Sequence, residues 1–123
     1  MKINDVKKLL RNWASENEDI RTVYIYGSRQ RGDFAESSDL DIAIDLNQKK
    51  SNIDGHSLWV TYGSKLEREL QSMLPFKVHL EYYDKSRIDL VKDIVRTAIE
   101  NSHEEVYSRD EYIRPARRRL RKC

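Results

Sequence analysis

Cysteine is nearly missing from this chain: Cys123, the last residue, is the only one. One thiol builds no disulfide framework, so a reducing compartment, the cytoplasm, is the expectation. Long apolar runs are missing as well. None approaches the roughly 20 residues that a membrane span needs, and Met1-Lys2-Ile3-Asn4-Asp5 lacks the apolar core of a signal peptide. A soluble protein is expected. Proline occurs only at 75 and 115, and there is no internal repeat. The Gly-Lys-Ser/Thr ending of a P-loop is also absent.

Charge is plentiful but nearly balanced, at +2 over 123 residues. It is unevenly placed. Arg114, Arg117, Arg118, Arg119, Arg121 and Lys122 put +6 into the last stretch, which leaves the remainder near −4. The reading is a mildly acidic domain over residues 1–108 and a basic tail over 109–123. A chain of this length holds one core.

The periodicity alternates between helix and strand. Ile3, Val6, Leu10 and Trp13 recur at helical spacing, with Asn4 or Asp5 as the cap. Ile20–Tyr26 is β-rich. In Asp39–Leu46, Leu40, Ile42, Ile44 and Leu46 face one way and Asp39, Asp41, Ala43 and Asp45 the other. A second helix is expected from about His56 to Leu74, stopped by Pro75. A third strand runs Phe76–Tyr83, with Lys77, His79, Glu81 and Tyr83 on its polar face. Ser86 then caps a third helix carrying Ile88, Val91, Val95 and Ala98, and Glu105–Tyr107 is a short edge strand. The class is α+β: a small mixed sheet with helices on its apolar face. The other face is expected to stay open, collecting Tyr24, Tyr26, Asp39, Asp41, Asp45, His79, Glu81 and Tyr83.

The most informative stretch joins the first two strands. Same-face residues on a strand lie about 6.6–7 Å apart, so Asp39 and Asp41 can lean toward a common point. Two charges about 4 Å apart repel by about 4 kcal/mol at an effective dielectric near 20. Either one carboxylate is protonated, or a cation sits between them, or both are simply solvated strand-end acids. A hard cation such as Mg²⁺ suits oxygen ligands and recruits phosphate oxygens. Upstream, Gly27 permits close backbone approach and Ser28 offers a hydroxyl beside free N–H groups, a turn suited to phosphate. Arg29 and Arg31 add positive charge. Phosphate turn and carboxylate pair together point to nucleoside triphosphate chemistry.

Gly27-Ser28, ten residues, then Asp39-x-Asp41 resembles the Gly-Ser-x10-Asp-x-Asp signature of the minimal nucleotidyltransferases, within the DNA polymerase β-like superfamily. Ser38-Asp39-Leu40-Asp41-Ile42 fits the wording of that motif, and the likeness extends over roughly residues 3–107. It implies the polymerase β-like fold and a Mg²⁺-dependent transfer of a nucleoside monophosphate, AMP from ATP or the equivalent from another NTP. Gly27, Ser28, Arg29 and Ser38 would hold the nucleotide. Asp39 and Asp41 would bind two metal ions, with Ser28, Asp39 and Asp41 catalytic. Small members of the family are often paired with a helical HEPN protein in toxin–antitoxin modules, where the partner is itself the substrate.

The chain departs from that pattern on the third strand. A Val-Asp-Leu context supplies a third carboxylate in the family; here it reads Val78-His79-Leu80. Three readings stand: Glu81 substitutes, His79 acts as base or unusual ligand, or the protein is a catalytically inactive antitoxin or scaffold that neutralises its partner by contact. The basic tail admits nucleic acid, a solvated terminus or an acidic partner, and an oligomer is compatible with all of these.

Overall fold

The computed structural model describes residues 1–27, 39–46 and 53–109. Helical spacing near the start yields α1, Ile3–Glu16, which buries Val6, Leu10, Trp13 and Ala14. Its cap position is Lys2 rather than Asn4 or Asp5. Asp5 lies inside the first turn and its carboxylate accepts the Lys2 backbone N–H at 3.2 Å, where a negative charge also meets the positive end of the helix dipole.

The chain continues as β1 (Ile20–Tyr26), β2 (Leu40–Leu46), α2 (Gly55–Met73), β3 (Val78–Tyr82), a 3₁₀ segment (Lys85–Leu90), α3 (Asp93–Asn101) and β4 (His103–Ser108). Asp54 caps α2 by accepting the Ser57 N–H at 2.9 Å. The single helix expected from Ser86 onward is broken. Asp84 Oδ1 takes both the N–H and the hydroxyl of Ser86, at 2.9 and 2.7 Å. That tight side-chain turn favours 3₁₀ winding, and the regular helix starts only after Lys92. The edge strand β4 is longer than expected, six residues instead of three.

The sheet has order β3-β2-β1-β4. β1 runs antiparallel to both β2 and β4, and β2 pairs parallel with β3. One face carries Val23, Ile25, Leu40, Ile42, Ile44, Val78 and Leu80, packed with α1 and α2 into the main core. The outer edge of β3 is guarded by α2. Gln71 Oε1 accepts the Val78 N–H at 2.8 Å and Glu67 Oε2 accepts the Leu80 N–H at 3.0 Å. Those contacts occupy N–H groups that an added strand would otherwise use.

The opposite face is not open along its length, contrary to the alternation argument. Tyr24, Tyr26, Ala43 and Tyr83 form a second small core with Val91, Val95 and Ile99. Tyr24 and Tyr83 meet edge to face, ring centres 5.4 Å apart. The reason is physical: a tyrosine buries a large apolar ring, so a face of alternating Tyr and Asp still attracts a helix. α3 therefore covers the middle of that face. The carboxylates at the Tyr26 end stay partly accessible.

Candidate active site

Register sets the site. Across the antiparallel pair Tyr26 stands opposite Asp41, and across the parallel pair Asp41 stands opposite His79. One row thus reads Tyr26–Asp41–His79. The next row reads Tyr24–Ala43–Glu81. Asp39 immediately precedes β2.

Gly27 ends β1 with φ at +79°, a conformation that disfavours any Cβ. A Cβ there would also overlap Asp41 Oδ2. The glycine therefore does two things: it turns the chain, and it lets the Asp41 carboxylate lie against the backbone. His79 sits between the two acids. Its Nδ1 is 3.7 Å from Asp39 Oδ2 and 3.7 Å from Asp41 Oδ1. Asp41 is 27 % exposed and His79 55 %, so the cluster is reachable from solvent. Tyr26 closes the row from below. Burial pushes its phenol well above the usual range, and the charges of Asp41 and Glu81 push it further, so at neutral pH it is a neutral hydroxyl beside carboxylates.

The structure thus brings Gly27, Asp39, Asp41 and His79 together. Glu81 does not join them. It lies one row on, opposite Ala43, and its carboxylate oxygens are each 3.5 Å from Lys92 Nζ at the start of α3. Among the described residues, no group of three or more His, Cys, Asp or Glu side chains is arranged to hold a metal ion. Asp39 and Asp41 carry oxygen donors of the kind a hard cation such as Mg²⁺ takes, and Gly27 leaves room for the Asp41 carboxylate. Ser28, Arg29 and Ser38 lie outside the described residues. Sequence reading missed Lys92. It is a helix-start lysine with no local signal linking it to a strand eleven residues earlier.

A profile of the polymerase beta nucleotidyltransferase family matches residues 8–112. The chain belongs to that family. This nucleotidyltransferase domain also superposes on solved structures. One, a toxin–antitoxin with AMP-PNP, gives a TM-score of 0.55 at 20 % identity, covering 90 % of this chain and 77 % of that one. Another, a candidate nucleotidyltransferase from Sulfolobus solfataricus, gives 0.47 at 24 % identity, covering 85 % and 78 %. No curated protein matches. Among the described residues, no helix of the domain is long and apolar enough to cross a membrane.

Proposed function

We propose that this nucleotidyltransferase transfers a nucleoside monophosphate, AMP from ATP, to a partner protein within a toxin–antitoxin module, the partner being of the HEPN type. The observation that carries the reading is the Asp41 carboxylate seated on the Gly27 turn, with Asp39 across His79 from it: a methyl group at Gly27 would collide with Asp41. The superposition on a toxin–antitoxin structure solved with AMP-PNP supports both the nucleotide and the partner.

In this reading Asp39 and Asp41 hold Mg²⁺ and the Gly27-Ser28 turn holds the triphosphate. The bound metal supplies charge neutralisation at the α-phosphate and the leaving pyrophosphate. Asp39 and Asp41 keep an oxygen each near one locus, since His79 Nδ1 lies 3.7 Å from both. Tyr26 backs the site with a neutral hydroxyl and keeps water from beneath Asp41. His79 stands where it can receive the proton of an attacking hydroxyl. In this reading a partner's hydroxyl is the acceptor.

The competing reading is a catalytically silent antitoxin that neutralises by contact. Its support is specific: His79 fills the third-acid slot, and Glu81 is turned to Lys92. The test separates them. Wild type and Asp41→Ala are incubated with α-labelled ATP, Mg²⁺ and the product of the neighbouring gene. The enzyme reading expects label on the partner from wild type alone. No label, with neutralisation unchanged in Asp41→Ala, overturns it.

A further inference from the structure

The sheet row that carries the carboxylate cluster continues onto β4. Across the antiparallel pair of β1 and β4, His103 stands opposite Tyr26. The full row therefore reads His103–Tyr26–Asp41–His79. Residues directly opposite in a sheet share a face, and the His103 ring meets the Tyr24 ring edge to face, centres 5.5 Å apart. His103 is exposed. It stands two strands from Asp41, roughly 10 Å at about 4.8 Å per strand. It also flanks Tyr26, the residue before the Gly27 turn.

The two histidines of the row are held differently. His79 Nδ1 faces two carboxylates. His103 Nδ1 lies 2.8 Å from Ile99 O, in the last turn of α3. A carbonyl oxygen only accepts, so Nδ1 carries a hydrogen and donates it. That bond fixes the orientation of the ring and leaves Nε2 as the nitrogen available to a ligand. The titratable and charged groups around the ring are Tyr24 and Tyr26 on β1 and Glu105 on its own strand. Tyr83 meets Tyr24 from the far side of the sheet, with Glu100 of α3 near it. Lys85 Nζ lies 5.9 Å from the centre of the Tyr24 ring.

We propose that His103 binds the terminal phosphates of the nucleotide, Nε2–H donating to a phosphate oxygen while Nδ1–H stays on Ile99 O. The assignment rests on the nucleotide reading above, which sets the α-phosphate at Asp39 and Asp41. From Asp41 the row offers two directions. Beyond His79, α2 closes the edge of β3. The next row inward, at Ala43, is buried in the second core. Toward β4 the row ends at an exposed imidazole. A phosphate chain that leaves the carboxylates past Gly27 crosses the buried Tyr26 and meets His103 next. With both ring nitrogens protonated the ring is a cation, and its bond to phosphate is charge-assisted. The proton comes from solvent and stays on the ring. No bond to phosphorus is made or broken by it. The row then divides its work: His79 serves the attacking hydroxyl, and His103 holds the pyrophosphate that leaves.

Two substitutions separate contact with the ligand from support of the fold. His103→Asn keeps an amide N–H where Nδ1 bonds Ile99 O and removes Nε2. His103→Gln keeps an N–H where Nε2 stood and gives up the Ile99 bond. With Mg²⁺ present, α,β-methylene-ATP is titrated into wild type and both variants, and AMP in parallel. Affinity for the triphosphate is expected to fall about tenfold in His103→Asn and to hold within about threefold in His103→Gln, the order of a lost hydrogen bond to a charged group. AMP binding stays unchanged in both. In wild type with ¹⁵N-labelled histidine, both nitrogens of His103 read as N–H in the triphosphate complex. A purely structural role reverses the order, with His103→Asn tight and His103→Gln weak. That order, an equal loss for AMP, or an Nε2 without a proton in the complex overturns the proposal. Triphosphate binding that Asp41→Asn weakens and His103→Asn leaves alone overturns this assignment and spares the nucleotide reading. A wild type that binds no nucleotide overturns both.

Discussion

At the scale of single residues, Gly27 and His79 are the two neighbours that frame Asp41. Gly27→Ala places a Cβ at φ +79° and against Asp41 Oδ2. The left-handed backbone alone costs roughly 1–2 kcal/mol for a residue with a Cβ. The expected outcome is an unfolding free energy from urea titration lowered by that amount, and a displaced Asp41, read as weakened Mg²⁺-dependent nucleotide binding. A variant as stable and as tight-binding as wild type would show that the turn is not under this constraint. His79 lies 3.7 Å from each aspartate, in the register slot of an acid. His79→Asp adds a third hard oxygen donor, and cation affinity follows ligand charge. Calorimetry should show Mg²⁺ binding tightened by about tenfold, or about 1.4 kcal/mol. Unchanged affinity would mean that position 79 does not face the cation.

Among the elements, α2 shows how a local rule is overridden. Gly63 in mid-helix reads as a defect, and alanine there should gain about 1 kcal/mol. In the fold, the Trp59 ring lies across Gly63, and a Cβ would stand 2.8 Å from Trp59 Cε3. Trp59 in turn stacks on Tyr82 with ring centres 6.2 Å apart. Gly63→Ala is therefore expected to lower thermal stability instead of raising it, together with a change in Trp59 fluorescence; a stabilised variant would contradict the packing account. The same tension marks what was legible in the residues alone. β1 came through residue for residue, because Val23 and Ile25 alternate cleanly with Tyr24 and Tyr26. Alternation placed Asp41 on β2, with Asp39 just ahead of it in the fold, and parity put His79 on their face. The cover over Tyr24, Tyr26 and Tyr83 was not legible, because alternation scores a tyrosine as half polar while its ring buries like a core residue. Nor was the Glu81–Lys92 contact legible, since it depends on where α3 begins, and that is set by the Asp84–Ser86 turn.

For the whole molecule, the second core has a consequence in alkali. Tyr24, Tyr26, Tyr82 and Tyr83 are all raised above the ordinary value of 10.0, burial being the first cause in each. A group raised in the folded state contributes stability that is complete below its unfolded value and is lost as pH climbs above it. Base unfolding should therefore begin near pH 10, with tyrosinate absorbance and loss of circular dichroism rising together. Tyr24→Phe should move the midpoint upward, because no phenol is left there to ionise. Ionisation of all seven tyrosines before any loss of structure would contradict the burial of these rings. At the same scale, the two ends of the sheet divide the molecule: carboxylates and His79 lie at the Tyr26 end, away from the Ile20 end. Both functional readings, enzyme and silent binder, share the first of these. The most direct measurement is calorimetric titration of α,β-methylene-ATP into wild type and Asp41→Asn, with Mg²⁺ and with chelator. The account predicts Mg²⁺-dependent binding to wild type that is weakened at least about tenfold by Asp41→Asn, a change of about 1.4 kcal/mol or more. Binding of equal strength in both proteins, indifferent to chelator, would contradict the placement of the nucleotide at Asp39 and Asp41.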